Sequence, residues 1–202
     1  IEGVSPRGIA VGYPEKVNLC WDADEMSLAL LWQDRFIDAS KHWNGRGQGN
    51  QTPLGGGVMK WETSAPVAVL ESPQTPWPSG NSKDRGFRFL GYRLDAGGRP
   101  TFRYRSPIAS VEDTPIPQPG VPVASLDREV NIVPSEVAIN GTIYFRAAVG
   151  KSIARTPDGA FELGDGTVIR VSGEPILRNV DDNLEVIVPV RGDTTIRQSI
   201  VW

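Results

Sequence analysis

The residues best suited to chemistry in this 202-residue chain fall between positions 22 and 46. They are Asp22, Asp24, Glu25, Asp34 and Asp38, then the only histidine, His42, followed by Trp43 and Arg46. Closely spaced carboxylates are what glycoside hydrolysis uses, one as acid and one as base or nucleophile. With 24 Asp and Glu in the chain, such clusters also arise by chance. Solvated strand ends are therefore the preferred reading, and a carbohydrate-active enzyme using a carboxylate pair is the alternative. Nucleophilic catalysis lacks its parts, because there is one His and no G-x-S-x-G turn. Cys20 lies inside an alternating run and reads as a buried structural thiol. One His and one Cys do not make a zinc site. Asp181-Asp182-Asn183 and Gly164-Asp165-Gly166 offer the oxygen ligands calcium takes, so calcium is the one cofactor left open. The EF-hand spacing is absent, and Asx turns explain the same residues more simply.

Aromatic side chains carry the second signal. Of six tryptophans, Trp21 and Trp32 sit in apolar runs and belong to a core. Trp43, Trp61 and Trp77 lie in or beside polar, Gly- and Pro-rich stretches, where an indole stacks on a sugar ring while Asp, Asn or Arg bonds its edge. The contrary reading is that these rings cap the ends of a sandwich. The candidate ligand-binding set is Asp38, His42, Trp43, Arg46, Trp61 and Trp77. Asp38 follows the last apolar pair of its strand, and Arg46 stands between Gly45 and Gly47, which free the backbone to turn the guanidinium back. A bidentate Asp38–Arg46 pair is expected to pin this loop.

The elements that must position these residues read as strands. Alternating or short apolar runs place them at Gly8–Tyr13, Val17–Asp22, Met26–Trp32, Val58–Trp61, Pro66–Leu70, Arg85–Asp95 and Thr101–Arg105. In the second half they fall at Asp127–Val133, Thr142–Ala148, Ser152–Arg155, Thr167–Val171, Leu184–Val190 and Thr195–Trp202. Ala96-Gly97-Gly98-Arg99 reads as a hairpin turn, and Asn140-Gly141 as the strongest one. Asp158-Gly159, Gly164-Asp165-Gly166 and Gly192-Asp193 mark further turns. Thr114–Pro122 holds four prolines, which predicts that neither helix nor central strand passes through it. It is expected to join two sub-parts, 1–113 and 123–202, of a single unit. Closely spaced turns without a convincing helix predict an all-β antiparallel β-sandwich.

Composition narrows the partners. Net charge is −3, with 21 basic and 24 acidic residues well mixed, and no basic patch for nucleic acid or an anionic membrane. No apolar run approaches the ~18 residues of a membrane-spanning helix. Gly and Pro together number 39, against about 24 expected from average usage, and the excess belongs in turns. A lone Cys suits a reducing compartment and equally a disulfide-free exported protein. The chain opens on Ile1 without a methionine or a leader-like stretch, as expected of a processed protein or an excised domain.

The run PRGIAVGYPEKVNLCWDADEMSLALLWQDRFIDASKHWNGRG (positions 6–47) resembles a module of large exported proteins of planctomycetes and related bacteria. The matching residues are Pro6-Arg7, Val11-Gly12, Asp22, Trp32, Phe36, Asp38, Trp43 and Arg46-Gly47. FRFLGYRLDAGGRPTFRYR (positions 87–105) and the final tryptophan match as well. The resemblance implies a periplasmic or extracellular location beside c-type cytochrome and sugar-dehydrogenase-like propeller domains, and leaves the module's own activity undefined. The chain has no C-x-x-C-H, so covalent haem would belong to a neighbouring domain. The expectation is a non-catalytic accessory or assembly module with neighbouring domains or copies as partners, and a glycan as its small ligand. A self-assembling subunit, pairing through Ile1–Tyr13 and Thr195–Trp202 by strand addition, is the further alternative.

Overall fold

The computed structural model describes residues 1, 3–40, 51–62, 64–120, 125–137 and 139–202. Almost all their regular structure is antiparallel strand. In chain order the strands are β1 (Gly8–Gly12), β2 (Val17–Asp22), β3 (Ser27–Gln33), β4 (Gly56–Lys60) and β5 (Val67–Leu70). Then come β6 (Arg88–Leu94), β7 (Pro100–Arg105), β8 (Ala109–Gln118), β9 (Ser125–Pro134), β10 (Thr142–Gly150) and β11 (Ile153–Arg155). The last are β12 (Phe161–Leu163), β13 (Val168–Val171), β14 (Ile176–Val180), β15 (Asn183–Val190) and β16 (Thr194–Val201).

They form three sheets. One is the meander β1-β2-β3-β4, a second has the order β14-β15-β10-β5, and the large third runs β11-β12-β13-β16-β9-β8-β7-β6. The buried faces of all three meet in one apolar cluster that includes Leu19 and Trp21, Phe145 and Val188, and Phe102, Val130 and Ile196. The Trp21 ring of β2 stacks on the Phe102 ring of β7, with centroids 4.4 Å apart and planes 5° apart. Such offset stacking adds roughly 0.5–1.5 kcal/mol beyond area burial. The Gln198 amide of β16 donates to the Ala147 carbonyl of β10 at 2.8 Å, tying the large sheet to the second. An all-β sandwich therefore describes the chain, with the large sheet facing the two smaller ones.

The alternation that marks half-buried strands is clean in β8 and β9 and lost in β2, where every residue is buried. The reason is a second, smaller cluster on the other face of the first sheet. There Cys20, Leu30 and Trp32 pack under Ile1, Val4 and Ile37. The Trp32 indole also donates to the carbonyls of Arg35 and Phe36, both at 3.1 Å.

Several expectations are corrected. The proline-rich stretch does carry a strand: β8 runs through Pro115 and Pro117, which pair with Arg128 and Leu126 of β9. On the other flank the β7 ladder stops at Phe102↔Asp113, so both prolines lie where β8 has one open flank. A missing N–H is tolerated at such an edge position. Strands from before and after this stretch share two of the three sheets. Asn140-Gly141 does not close a hairpin, because β9 and β10 belong to different sheets, and Gly192-Asp193 likewise crosses from β15 to β16. Strands β8, β12 and β14 fall outside the runs expected from sequence.

Gly141 has a reason of its own. Its φ is +130°, and a Cβ there would lie 2.4 Å from the Leu70 carbonyl oxygen of β5. Gly166 has φ +86° but open space around it. Gly141→Ala is expected to lower stability by roughly 1–3 kcal/mol or more, and Gly166→Ala by less than Gly141→Ala. Chemical denaturation of the two variants side by side checks this; equal losses would show that the close approach to β5 is not what demands glycine.

Candidate functional site

Each carboxylate of the early cluster is bound into the scaffold. Asp22 is buried at the end of β2 and accepts from the Ser5 hydroxyl (2.7 Å) and from the amides of Ser5, Asp24 and Glu25 (3.3, 2.8 and 3.1 Å). It shapes the β2–β3 turn as an Asx residue does. Asp24 pairs with Arg7 at 3.2 Å on the surface. Glu25 accepts from the Ser82 hydroxyl (2.6 Å) and amide (3.2 Å), which anchors the segment after Trp77. Asp34, at φ 70°, faces Lys16 at 3.4 Å. Asp38 is exposed, follows the isolated bridge Ile37↔Pro53, and accepts the Ser40 amide at 2.9 Å. His42, Trp43 and Arg46 lie outside the described residues, and the expected Asp38–Arg46 pair with them.

Trp77 lies against a residue the sequence did not single out, Arg146 of β10, and Trp61 lines a small cavity with the same arginine. The Arg146 guanidinium lies 4.8 Å from the centroid of the Trp77 ring. Such a contact contributes roughly 0.5–2 kcal/mol, depending on how dry it is. Trp77 also donates its indole N–H to the Ala65 carbonyl at 3.3 Å and packs on Ala68, Leu70, Tyr144 and Ile187. Trp61 packs against the main core and continues β4, its amide bonded to the Ala29 carbonyl at 2.8 Å. Both indoles remain half-buried. Arg146 itself donates Nη1 to Glu185 Oε1 at 2.8 Å and Nη2 to the Ser64 hydroxyl, with Glu62 at 4.0 Å.

Glu185 of β15 is shared. Its Oε2 accepts Nε of Arg178 at 2.8 Å, and Nη2 of the same guanidinium, while Oε1 serves Arg146. Arg178 Nη1 reaches the carbonyls of Pro73 and Thr75 at 2.8 and 2.7 Å. The loop that carries Trp77 is thereby tied to a buried carboxylate through two arginines. Arg85, held over the Phe87 ring, donates to the Pro78 carbonyl at 3.3 Å. Burial, and then repulsion from Arg146, hold its pKa below the usual arginine value.

A second buried ion pair crosses the large sheet. Arg128 of β9 forks onto Asp113 of β8 and gives Nη1 to Gln198 Oε1 at 2.8 Å. Burial, with the Asp113 charge adding to it, raises the phenol pKa of both Tyr13 and Tyr104 well above 10.0. Burial also pushes the Cys20 thiol up to about 12 from 9.0.

The residues offered for calcium have turn geometry. Asp181 and Asp182 form the two-residue β14–β15 turn with φ of 51° and 61°, and Asp165 Oδ1 accepts the Thr167 amide at 3.0 Å. No three His, Cys, Asp or Glu groups among the described residues are arranged to hold a metal ion. The signal for the buried charges was present in phase rather than in spacing. Asp113 follows Ala109 and Val111, and Arg128 stands between Leu126 and Val130, each on the inward side of an alternating strand.

Two outcomes follow from this electrostatic arrangement. Glu185→Gln leaves two buried guanidinium groups facing a neutral amide, and is expected to cost roughly 3–5 kcal/mol and to expose Trp77. Glu62→Gln, at a carboxylate 57% exposed, is expected to cost under ~1 kcal/mol. Denaturation followed by tryptophan fluorescence measures both. With pH, the native state keeps protons on Cys20, Tyr13 and Tyr104 that the unfolded chain releases near 9 to 10. Stability is therefore expected to fall as pH rises above about 9. Two of the four tyrosines are expected to ionise only on unfolding, and an ultraviolet titration that shows all four ionising in the native state would overturn this.

Compared with known proteins, the chain matches no protein-family model and no curated relative.

Proposed function

We propose that the chain is a non-catalytic accessory or assembly module of an exported bacterial protein, with a glycan as its small ligand. The observation that carries this reading is the use made of the early carboxylates. Asp22, Asp24, Glu25 and Asp34 are each held by a turn amide, a serine or a basic side chain, so their oxygens serve the scaffold. Acid–base catalysis needs carboxyls that face a substrate with matched pKa values. The glycan part rests on the half-buried indoles of Trp61 and Trp77, aromatic faces of the kind that stack on a sugar ring. Titration with neutral and uronate-containing polysaccharides, read by tryptophan fluorescence, is expected to show saturable quenching that Trp61→Ala weakens at least tenfold. Absence of quenching by any cell-wall or algal polysaccharide would leave only the assembly role.

A second reading, self-assembly by strand addition, draws on one edge of the sandwich, because the other expected segment, Thr195–Trp202, is β16 and is already paired on both flanks by β13 and β9. Strand β1 is an edge strand whose residues, GIAVG, carry no charge and no proline, whereas natural edges are usually blunted by one or the other. The other edge at that end, β6, has Arg88, Arg93 and a register shift between Phe89 and Gly91. On β6 itself Tyr92 and Leu94 remain 53% and 55% exposed, lining a shallow groove with Ile9 and Val11 of β1. Light scattering is expected to show concentration-dependent association that Ala10→Lys abolishes; a monomer at all concentrations removes this reading.

A further inference from the structure

Near the junction of the three sheets lies a cavity of about 20 Å³, bounded by Ser27 at the start of β3, Trp61, Glu62 and Ser64 after β4, Arg128 of β9 and Arg146 of β10. We infer that it binds one small monovalent anion of chloride's size, held by the Ser27 hydroxyl and the guanidinium groups of Arg128 and Arg146. The volume admits a single water- or halide-sized species.

Three observations bear on its identity. First, the Ser27 hydroxyl is buried, with the residue 4% exposed, and has no hydrogen-bond partner among the described residues. A buried hydroxyl left without a partner carries an uncompensated desolvation cost, which a bound species accepting from it relieves. Second, donors outnumber acceptors. A guanidinium has five N–H groups. Arg128 places three on Asp113 and Gln198, and Arg146 places one each on Glu185 and Ser64, so both keep N–H groups in hand. A water molecule needs acceptors for its own two protons, and among the lining side chains these are the Ser27 and Ser64 hydroxyls and the exposed Glu62 carboxylate. An anion needs donors alone. Third, the local charge is positive. Arg128 is neutralised by Asp113, but Arg146 and Arg178 share the single buried carboxylate of Glu185. Glu62 stands 4.0 Å from Arg146 and is 57% exposed, so solvent screens most of its compensation. An anion beside Arg146 completes the balance from inside.

The consequence reaches beyond the cavity. Arg128 belongs to the large sheet, Arg146 to the second and Ser27 to the first, so one ion would bridge all three. The site borders the proposed glycan surface at Trp61, but its test uses no polysaccharide.

The test uses the whole chain. Crystals soaked in bromide are expected to show an anomalous peak within hydrogen-bonding distance of Ser27 Oγ and both guanidinium groups. At constant ionic strength, Tm in chloride or bromide is expected to exceed that in gluconate, which is too large to enter, by on the order of 2–4 °C. Ser27→Ala is expected to narrow that gap. A cavity without anomalous signal in bromide, or equal Tm values in halide and gluconate, would overturn the assignment and leave the site to water. The bromide measurement needs no variant, so it decides the matter even if Ser27→Ala folds poorly.

Discussion

The placement of Glu185 is the constraint on which the rest of this region depends. One carboxylate with both oxygens buried binds two arginines from different strands, Arg146 of β10 and Arg178 of β14. Removing three charges from water is expensive, and their attraction offsets the cost only when geometry and remaining hydrogen bonds are nearly complete. Here the completion comes from outside the strands: Ser64 for Arg146, and the carbonyls of Pro73 and Thr75 for Arg178. The irregular 64–78 segment thus supplies what the strand pair lacks, and the strand pair fixes where that segment runs. Trp77 is positioned by this exchange, its ring under Arg146 and its N–H on Ala65.

A parallel arrangement operates in the large sheet. Asp113 and Arg128 point into the core from neighbouring strands, and Gln198 relays the pair to the backbone of β10 through Ala147. Apolar packing alone would let two sheets slide over each other at small cost, since it is not directional. A buried fork with fixed bond directions admits one alignment. The Arg128 cluster therefore acts as a register mark between layers through Gln198, while the Glu185 cluster lies within the second sheet and fixes the 64–78 segment to it.

How far this could be read from sequence follows from the range of each interaction. Strand β2 matched residue for residue because its apolar–polar alternation in sequence is local, even though both of its faces are buried. Trp21 and Trp32 were legible as core because their neighbours are apolar. Strand β8 was hidden by its prolines, since a proline excludes a strand only where both flanks are paired, and flank pairing is set by where β7 ends. Asn140-Gly141 looked like a hairpin turn, while the demand for glycine comes from β5, some 70 positions earlier in the chain. Trp61 and Trp77 were recognisable as aromatics among turn residues. Arg146 was not, because its partner Glu185 lies 39 positions away and an arginine in a strand reads by default as a solvent-facing one.

The position of β16 within the large sheet has a kinetic meaning. Although last in sequence order, it lies in the interior, between β13 and β9, with Thr195 paired to Asn131 across 64 residues. The hairpins β11-β12-β13 on one side and β9-β8-β7-β6 on the other can each form from local contacts, but nothing joins them until β16 enters between them. Loop closure over such a span costs conformational entropy before any contact repays it. Folding of this chain cannot proceed as a zipper from one end. It has to wait for a central strand that closes two preformed ribbons at once, and until then both ribbons expose an open edge to neighbouring chains.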